Sequence, residues 1–237
     1  LNCPKLLISA DNHFLLKGDV SLQDLSHPQD AYIFGNLSNL YADPDGIAFF
    51  VRNLSKDYKG VPPALQHLGT ISFRGEISGY FTDLVTYGEV RTDIGTVKTD
   101  VKFSSDKEKG YFSYSGAVKT AEFELGKLLA NDKFGKVTFN MDVKGSHYAK
   151  RYPSVTMKGL VASIDYSDYT YENITLDGEY KQGGFNGNVS FDDENGAIQL
   201  NGSINTAGKI PTFNFRADVD HFRPNTLHLT PKYKDTE

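Results

Sequence analysis

The sequence predicts an all-β protein: one strongly curved antiparallel meander forming an apolar groove, with one or two short helical turns. Three observations carry this. Apolar and polar residues alternate with period two over long stretches. Short Gly- and Asn-containing turns separate these stretches, so each strand pairs with the next. A Gly also recurs inside the strands, as in Phe73-Arg74-Gly75, Tyr114-Ser115-Gly116, Met157-Lys158-Gly159, Leu176-Asp177-Gly178 and Leu200-Asn201-Gly202. In-strand glycine weakens a flat sheet but permits bending; ordinary bulges in a sandwich would leave the same trace.

Residues 1–60 read as a less regular N-terminal β segment of the same groove, and 61–237 as the groove proper, the two forming one continuous domain. Between Pro44 and Pro63 the pattern is weakest, and Asp43-Pro44-Asp45-Gly46 reads as a turn. Val61 to Gly69 and Glu122 to Asn131 carry short helical patterns. Ser104 to Gly110 is a longer charged loop. Alternation is clearest in five segments. Val137, Phe139, Met141 and Val143 share one face, against Thr138, Asn140 and Asp142 on the other. Ile174, Leu176, Gly178 and Tyr180 repeat the pattern. So do Phe185, Gly187, Val189 and Phe191, with Ser190 on the far face. Ile198, Leu200, Gly202 and Ile204 oppose Asn201, and Phe213, Phe215, Ala217 and Val219 oppose Asn214. Turns fall at 182–184, 192–196 and 207–209. One apolar and one polar face is the signature of antiparallel strands covered on one side.

Composition removes several function classes. The 237 residues carry a formal net charge of −5 and a pI near 5.7, leaving no basic surplus to neutralise phosphates, so no nucleic-acid partner is expected. One cysteine, Cys3, excludes an intrachain disulfide framework. No transmembrane segment is expected, because the longest uncharged stretch, Ala31 to Ala42, is too short to span a bilayer as a helix. Leu1-Asn2-Cys3-Pro4 shows neither a signal-peptide pattern nor the small residue a lipidated cysteine requires. Glycosylation sequons at Asn36, Asn53, Asn173, Asn188 and Asn201 are of a kind that arises readily by chance in an Asn-rich β protein.

Catalytic patterns are absent from the sequence, and no enzyme activity or cofactor is expected. Gly75-Glu76-Ile77-Ser78-Gly79 lacks the Gly that a nucleophile elbow needs two residues before its Ser. Gly183-Gly184-Phe185-Asn186-Gly187 reads as a hairpin, not a phosphate loop. Asp192-Asp193-Glu194-Asn195 offers calcium-type ligands without EF-hand spacing, which favours a solvated hairpin tip. His221 and His228 flank Pro224 and read as solvent-facing, not as a metal pair. Tyr166, Tyr169 and Tyr171 suggest either a sugar-stacking platform or rings packed on cross-strand neighbours, and the second reading is favoured.

One ordered series of motifs resembles a known family. Phe73-Arg74-Gly75-Glu76-Ile77-Ser78-Gly79-Tyr80-Phe81 precedes Thr92-Asp93-Ile94-Gly95-Thr96-Val97. Tyr114-Ser115-Gly116-Ala117-Val118 and Phe123-Glu124-Leu125-Gly126-Lys127-Leu128-Leu129 follow. Leu176-Asp177-Gly178, Asp193-Glu194-Asn195-Gly196 and Phe213-Asn214-Phe215-Arg216-Ala217-Asp218-Val219 complete it. The order is similar to that of the TamB translocation and assembly modules of the AsmA-like superfamily, in their Bacteroidetes-type form, over most of residues 60–230. The resemblance implies a segment of a longer periplasmic protein anchored in the inner membrane of a Gram-negative cell. It implies a curved trough, the β-taco, that shields phospholipid acyl chains between the inner and outer membranes and supports outer-membrane biogenesis. An outer-membrane assembly factor is implied as a further partner. Such a family supplies no catalytic residues.

Physical chemistry is compatible with that expectation. An apolar sheet face must close on itself or bind something apolar, because large exposed apolar patches are rare. The expected groove lining is Val137, Phe139, Met141, Val143, Ile174, Leu176, Val189, Phe191, Ile198, Leu200, Ile204, Phe213, Phe215 and Val219. Asn140, Asp142, Ser190, Asn201 and Asn214 should point to solvent. The alternative is a non-catalytic β-rich binding or adhesion module for a carbohydrate or a protein of outer-membrane assembly.

Overall fold

The computed structural model describes residues 1–24, 31–54, 61, 63–80, 82–106, 110–148, 154–208 and 210–229. Calls on Phe81, the charged stretch 107–109 and Lys209 lie outside them. Thirteen strands form one sheet whose spatial order is the chain order, and the sheet is curved without closing into a barrel.

The first three strands are β1 (Asn2–Ala10), β2 (Phe14–Gln23) and β3 (Tyr32–Ala42). They are regular enough to pair along their length, but bulges interrupt them. In β1 the register slips between Cys3 and Leu6, where Lys5 takes φ 56° and its N–H donates to Asp19 Oδ1 at 2.9 Å. In β3 it slips between Leu37 and Leu40. Each extra residue resets the alternation, which is why this region looks irregular in sequence.

A helical excursion follows, α1 (Pro44–Leu54) and α2 (Pro63–His67). The first of these corrects the sequence reading of Asp43-Pro44-Asp45-Gly46 as a turn. Asp43 is a helix cap: its carboxylate accepts the Gly46 N–H at 2.8 Å and its carbonyl accepts the Ile47 N–H at 2.9 Å. Pro44 then occupies the first helical position, where no N–H is missed. The same residues that make a turn also start a helix, and the buried Ile47 decides between them.

The remaining strands are β4 (Ile71–Tyr80), β5 (Asp83–Thr92), β6 (Gly95–Asp106) and β7 (Tyr111–Glu124). After the short α3 (Leu125–Leu129) come β8 (Phe134–Tyr148), β9 (Ser154–Tyr166), β10 (Tyr169–Lys181), β11 (Gly184–Asp193), β12 (Gly196–Asn205) and β13 (Thr212–Phe222). Two-residue turns join several of these, such as Ser167-Asp168 and Gln182-Gly183, with both residues at positive φ. Such turns match the right-handed twist of the strands they join. Both expected short helices, α2 and α3, fall inside the predicted windows.

Glycine lets neighbouring strands approach closely along the bend. Gly178, Gly187 and Gly202 sit opposite one another on β10, β11 and β12. At Gly202 φ is +145°, and a Cβ would lie 2.2 Å from the Asn214 carbonyl oxygen, so no larger residue fits without moving β13. Aromatic rings lie across other glycines: a Cβ on Gly145 would meet the Tyr114 ring, and one on Gly178 the Phe185 ring.

The connections make the two ends of the strands unlike. α1, α2, α3 and the segment after β13 all gather at the end bearing the Thr92–Gly95 and Asp193–Gly196 turns. There Leu68, Leu125 and Leu128 pack on the buried cluster of Ile94, Phe123, Val137, Met141 and Val161. His67 Nδ1 meets the Leu128 carbonyl at 2.8 Å, tying α2 to α3.

Candidate functional site

Register carries the apolar alternation of one strand onto the next, because directly opposed residues share a face. Met141, Gly159, Leu176, Val189, Leu200 and Ala217 form one continuous row from β8 to β13. Phe139, Val161, Ile174, Phe191, Ile198 and Val219 form a second row nearer the helical end. On the other side run Val143, Met157, Gly178, Gly187, Gly202 and Phe215, then Tyr180, Phe185, Ile204 and Phe213. Val137 opposes Phe123 and Ile164. All fourteen expected lining residues therefore lie on a single face.

Away from the edge strands that face is more shielded than its reverse. Val161 is 7% exposed while its chain neighbour Leu160, on the opposite face, is 40% exposed; Phe73 is 8% exposed and Phe34, on the outer face, 45%. No second sheet covers the inner face among the described residues; at the helical end Leu68, Leu125 and Leu128 pack over it. We call the inner face the trough.

Burial grades along the trough. Val137 and Met141 belong to the buried cluster, with Phe139, Val143, Ile174 and Leu176 packed against it. Val189, Phe191, Ile198, Leu200 and Ile204 are half-buried. Phe213, Phe215 and Val219, expected to share one continuous interior with the rest, are exposed, Phe213 to 62%. The reason is position: β13 is an edge strand with a neighbour on one side only. Of the outward residues, Asn140, Asp142, Asn201 and Asn214 are exposed, but Ser190 is half-buried between Thr175 and Gln199.

The segment following β13 plugs the helical end. Arg223 N–H donates to the Asn195 carbonyl at 2.9 Å, and Leu227 is fully buried, one methyl close above Gly196. The Tyr171 hydroxyl donates to the Leu227 carbonyl at 2.7 Å. Tyr171 also packs on Tyr169 and Phe191, with ring centroids 4.8 and 5.6 Å away. Tyr169 donates to Asp193 Oδ2 at 2.8 Å and accepts from Asn195 Nδ2 at 3.1 Å. Burial pushes both phenols above their usual pKa. Tyr166 packs on Phe134 at 4.9 Å. The tyrosines are thus structural, in line with the favoured reading. Asp193 is occupied by Tyr169 and by the Asn195 N–H. His221 approaches Asp220, and is half-buried where solvent exposure was expected; the exposed His228 meets the Ser167 carbonyl, so the two histidines have separate partners.

A wide concavity lies on the other face. A groove of about 810 Å³ runs across β7 to β13 between two ladders of outward side chains, among them Asn140 and Asp142, Lys158 and Leu160, and Gln199 and Asn201. Lys158 donates to its directly opposed neighbour Asp177 at 2.8 Å, and Asn201 to its neighbour Asn188, both within one ladder. Its walls mix charged and amide side chains with apolar ones such as Ala117 and Leu160, and it is open to solvent.

Sequence reading missed one cluster. His13, Asp43 and Asp45 bring one ligand atom each within 4.8 Å of one another. The His13 Nδ1 to Asp43 Oδ2 contact, 2.7 Å, ties the β1–β2 turn to the start of α1. The hydrogen bond to Asp43 raises the His13 pKa, while the Gly46 N–H and then His13 hold Asp43 below the usual carboxylate range. Thirty residues separate His13 from Asp43, so no local motif marks the contact.

Among the described residues no helix is long and apolar enough to cross a membrane. No protein-family model matches the chain, and neither the curated proteins nor the solved structures give a match to it.

Proposed function

We propose that this chain is a non-catalytic lipid-binding groove, a TamB-like periplasmic segment that shields phospholipid acyl chains on their way between two membranes. The observation that carries the reading is the half-buried apolar pair Val189 and Leu200, beside Phe191 and Ile198 in the next row, on a face that no second sheet covers among the described residues. An acyl chain laid along it removes apolar surface on both partners, at roughly 0.8 kcal/mol for each methylene buried. No polar recognition is needed, and the headgroup stays in water at the unplugged end.

The carbohydrate-binding alternative loses support from the tyrosines. Their rings pack on one another and on Phe191, and the Tyr169 and Tyr171 hydroxyls are held inside the fold.

A photoreactive side chain at Leu200 should crosslink to phospholipid in a Gram-negative host, while one at Asn201, on the opposite face, should not. Equal labelling at the two positions, or none at Leu200, defeats the proposal.

A further inference from the structure

The two edges of the sheet differ in how they are protected. Proline, lysine and bulges are the usual devices that stop an edge strand from recruiting another chain. β1 has all three, in Pro4, Lys5 and the slip between Cys3 and Leu6. β13 has neither proline nor lysine, and pairs regularly with β12 from Thr212 to Val219 before Asp220 breaks the register. Its inner face shows Phe213, Phe215 and Val219 to solvent. Past Phe222 the chain turns inward, toward Asn195 and Ser167, and leaves the outer edge of β13 uncovered among the described residues.

We propose that β13 is a self-association surface, on which a second copy of this chain pairs its own β13 antiparallel about a two-fold axis at Ala217. Charge selects this register. On the outer face Arg216 and Asp218 are both exposed, and within one chain they meet at 3.1 Å. Pairing about Ala217 sets Arg216 opposite the second copy's Asp218, twice by symmetry. Pairing about Arg216 would oppose the two arginines; pairing about Asp218 would oppose the two aspartates and could offset this only through Asp220, which lies in the bulge and out of register. On the inner face the same register sets Phe215 against the second copy's Val219, an aromatic and β-branched pair. A two-fold axis normal to the sheet keeps inner face beside inner face, so the two troughs join into one. The bulge at Asp220 limits pairing to the centre of the strand. The dimer is therefore weak and concentration-dependent.

Sedimentation of the full chain in reducing buffer, which keeps Cys3 from forming disulfides, tests this. The expected result is a monomer–dimer equilibrium. Arg216→Asp or Asp218→Arg alone should weaken it roughly tenfold, by turning two attractive pairs into repulsive ones. The double variant Arg216→Asp/Asp218→Arg should restore it. In a Cys3→Ser background, Ala217→Cys should give a disulfide-linked dimer under mild oxidation. A chain that stays monomeric to its solubility limit overturns the proposal. So does a dimer indifferent to the charge changes, or one that Ala217→Cys fails to crosslink.

Discussion

A single carboxylate separates an open trough from a sealed core. Leu200 is half-buried on β12, next to the edge strand, whereas Val161, on the neighbouring row, is 7% exposed and belongs to the buried cluster. In Val161→Asp the charge has no water and no partner, which costs several kcal/mol, on the order of half the stability of an ordinary domain. In Leu200→Asp the carboxylate can reach solvent along the trough. The loss is then mainly the partial burial of the leucine, about 1 to 2 kcal/mol. Bound lipid suffers more. A leucine covers two or three methylenes of an acyl chain, about 2 kcal/mol of contact, and a desolvated charge adds to that loss. Lipid affinity should fall at least roughly thirtyfold. Chemical denaturation and crosslinking to a photoactivatable phospholipid would be measured on both variants. Leu200→Asp should keep its cooperative transition and lose crosslinking; Val161→Asp should unfold. Global unfolding of Leu200→Asp would mean that these residues form a closed core, and the reasoning would fail.

Two further consequences follow from particular contacts. The raised His13 pKa means that its contribution to stability is complete below its ordinary value of 6.5 and is lost as pH rises through the higher folded-state value; the lowered Asp43 pKa means the carboxylate's share is lost as pH falls through its depressed value. Protection of the Gly46 and Ile47 amides from exchange, taken relative to the unfolded chain at each pH, should therefore be greatest between the two, and His13→Ala should flatten the alkaline limb; an unchanged profile would show that the contact does not hold α1. The adjacent pair Val161 and Leu160 tests which face is core: Val161→Ala should cost about 1 to 2 kcal/mol by denaturant titration and Leu160→Ala less than about 1, and a reversed order would put the core on the wrong face.

The second half of the chain was legible in sequence because β10 to β13 are joined by short turns and keep an unbroken period of two over most of their length. Met141, Leu176, Val189 and Leu200 could be assigned to one face from local spacing alone. In β1 and β3 the bulges at Lys5 and after Leu37 place inner residues three apart, and a period-two template loses them. Asp43-Pro44 is ambiguous locally, since capping residues and turn residues are the same residues. The exposure of Phe213, Phe215 and Val219 was invisible for another reason: whether a strand is an edge depends on what pairs beyond it, which no short window contains. The same holds for the plug made by Leu227 over Gly196.

The most direct test is to purify the chain from a Gram-negative host and identify bound lipids by mass spectrometry, comparing wild type with Leu200→Asp. The expected result is phospholipid retained by the wild type and lost from the folded variant. Wild-type protein free of lipid, or the same lipid retained by Leu200→Asp, would contradict a lipid-shielding trough.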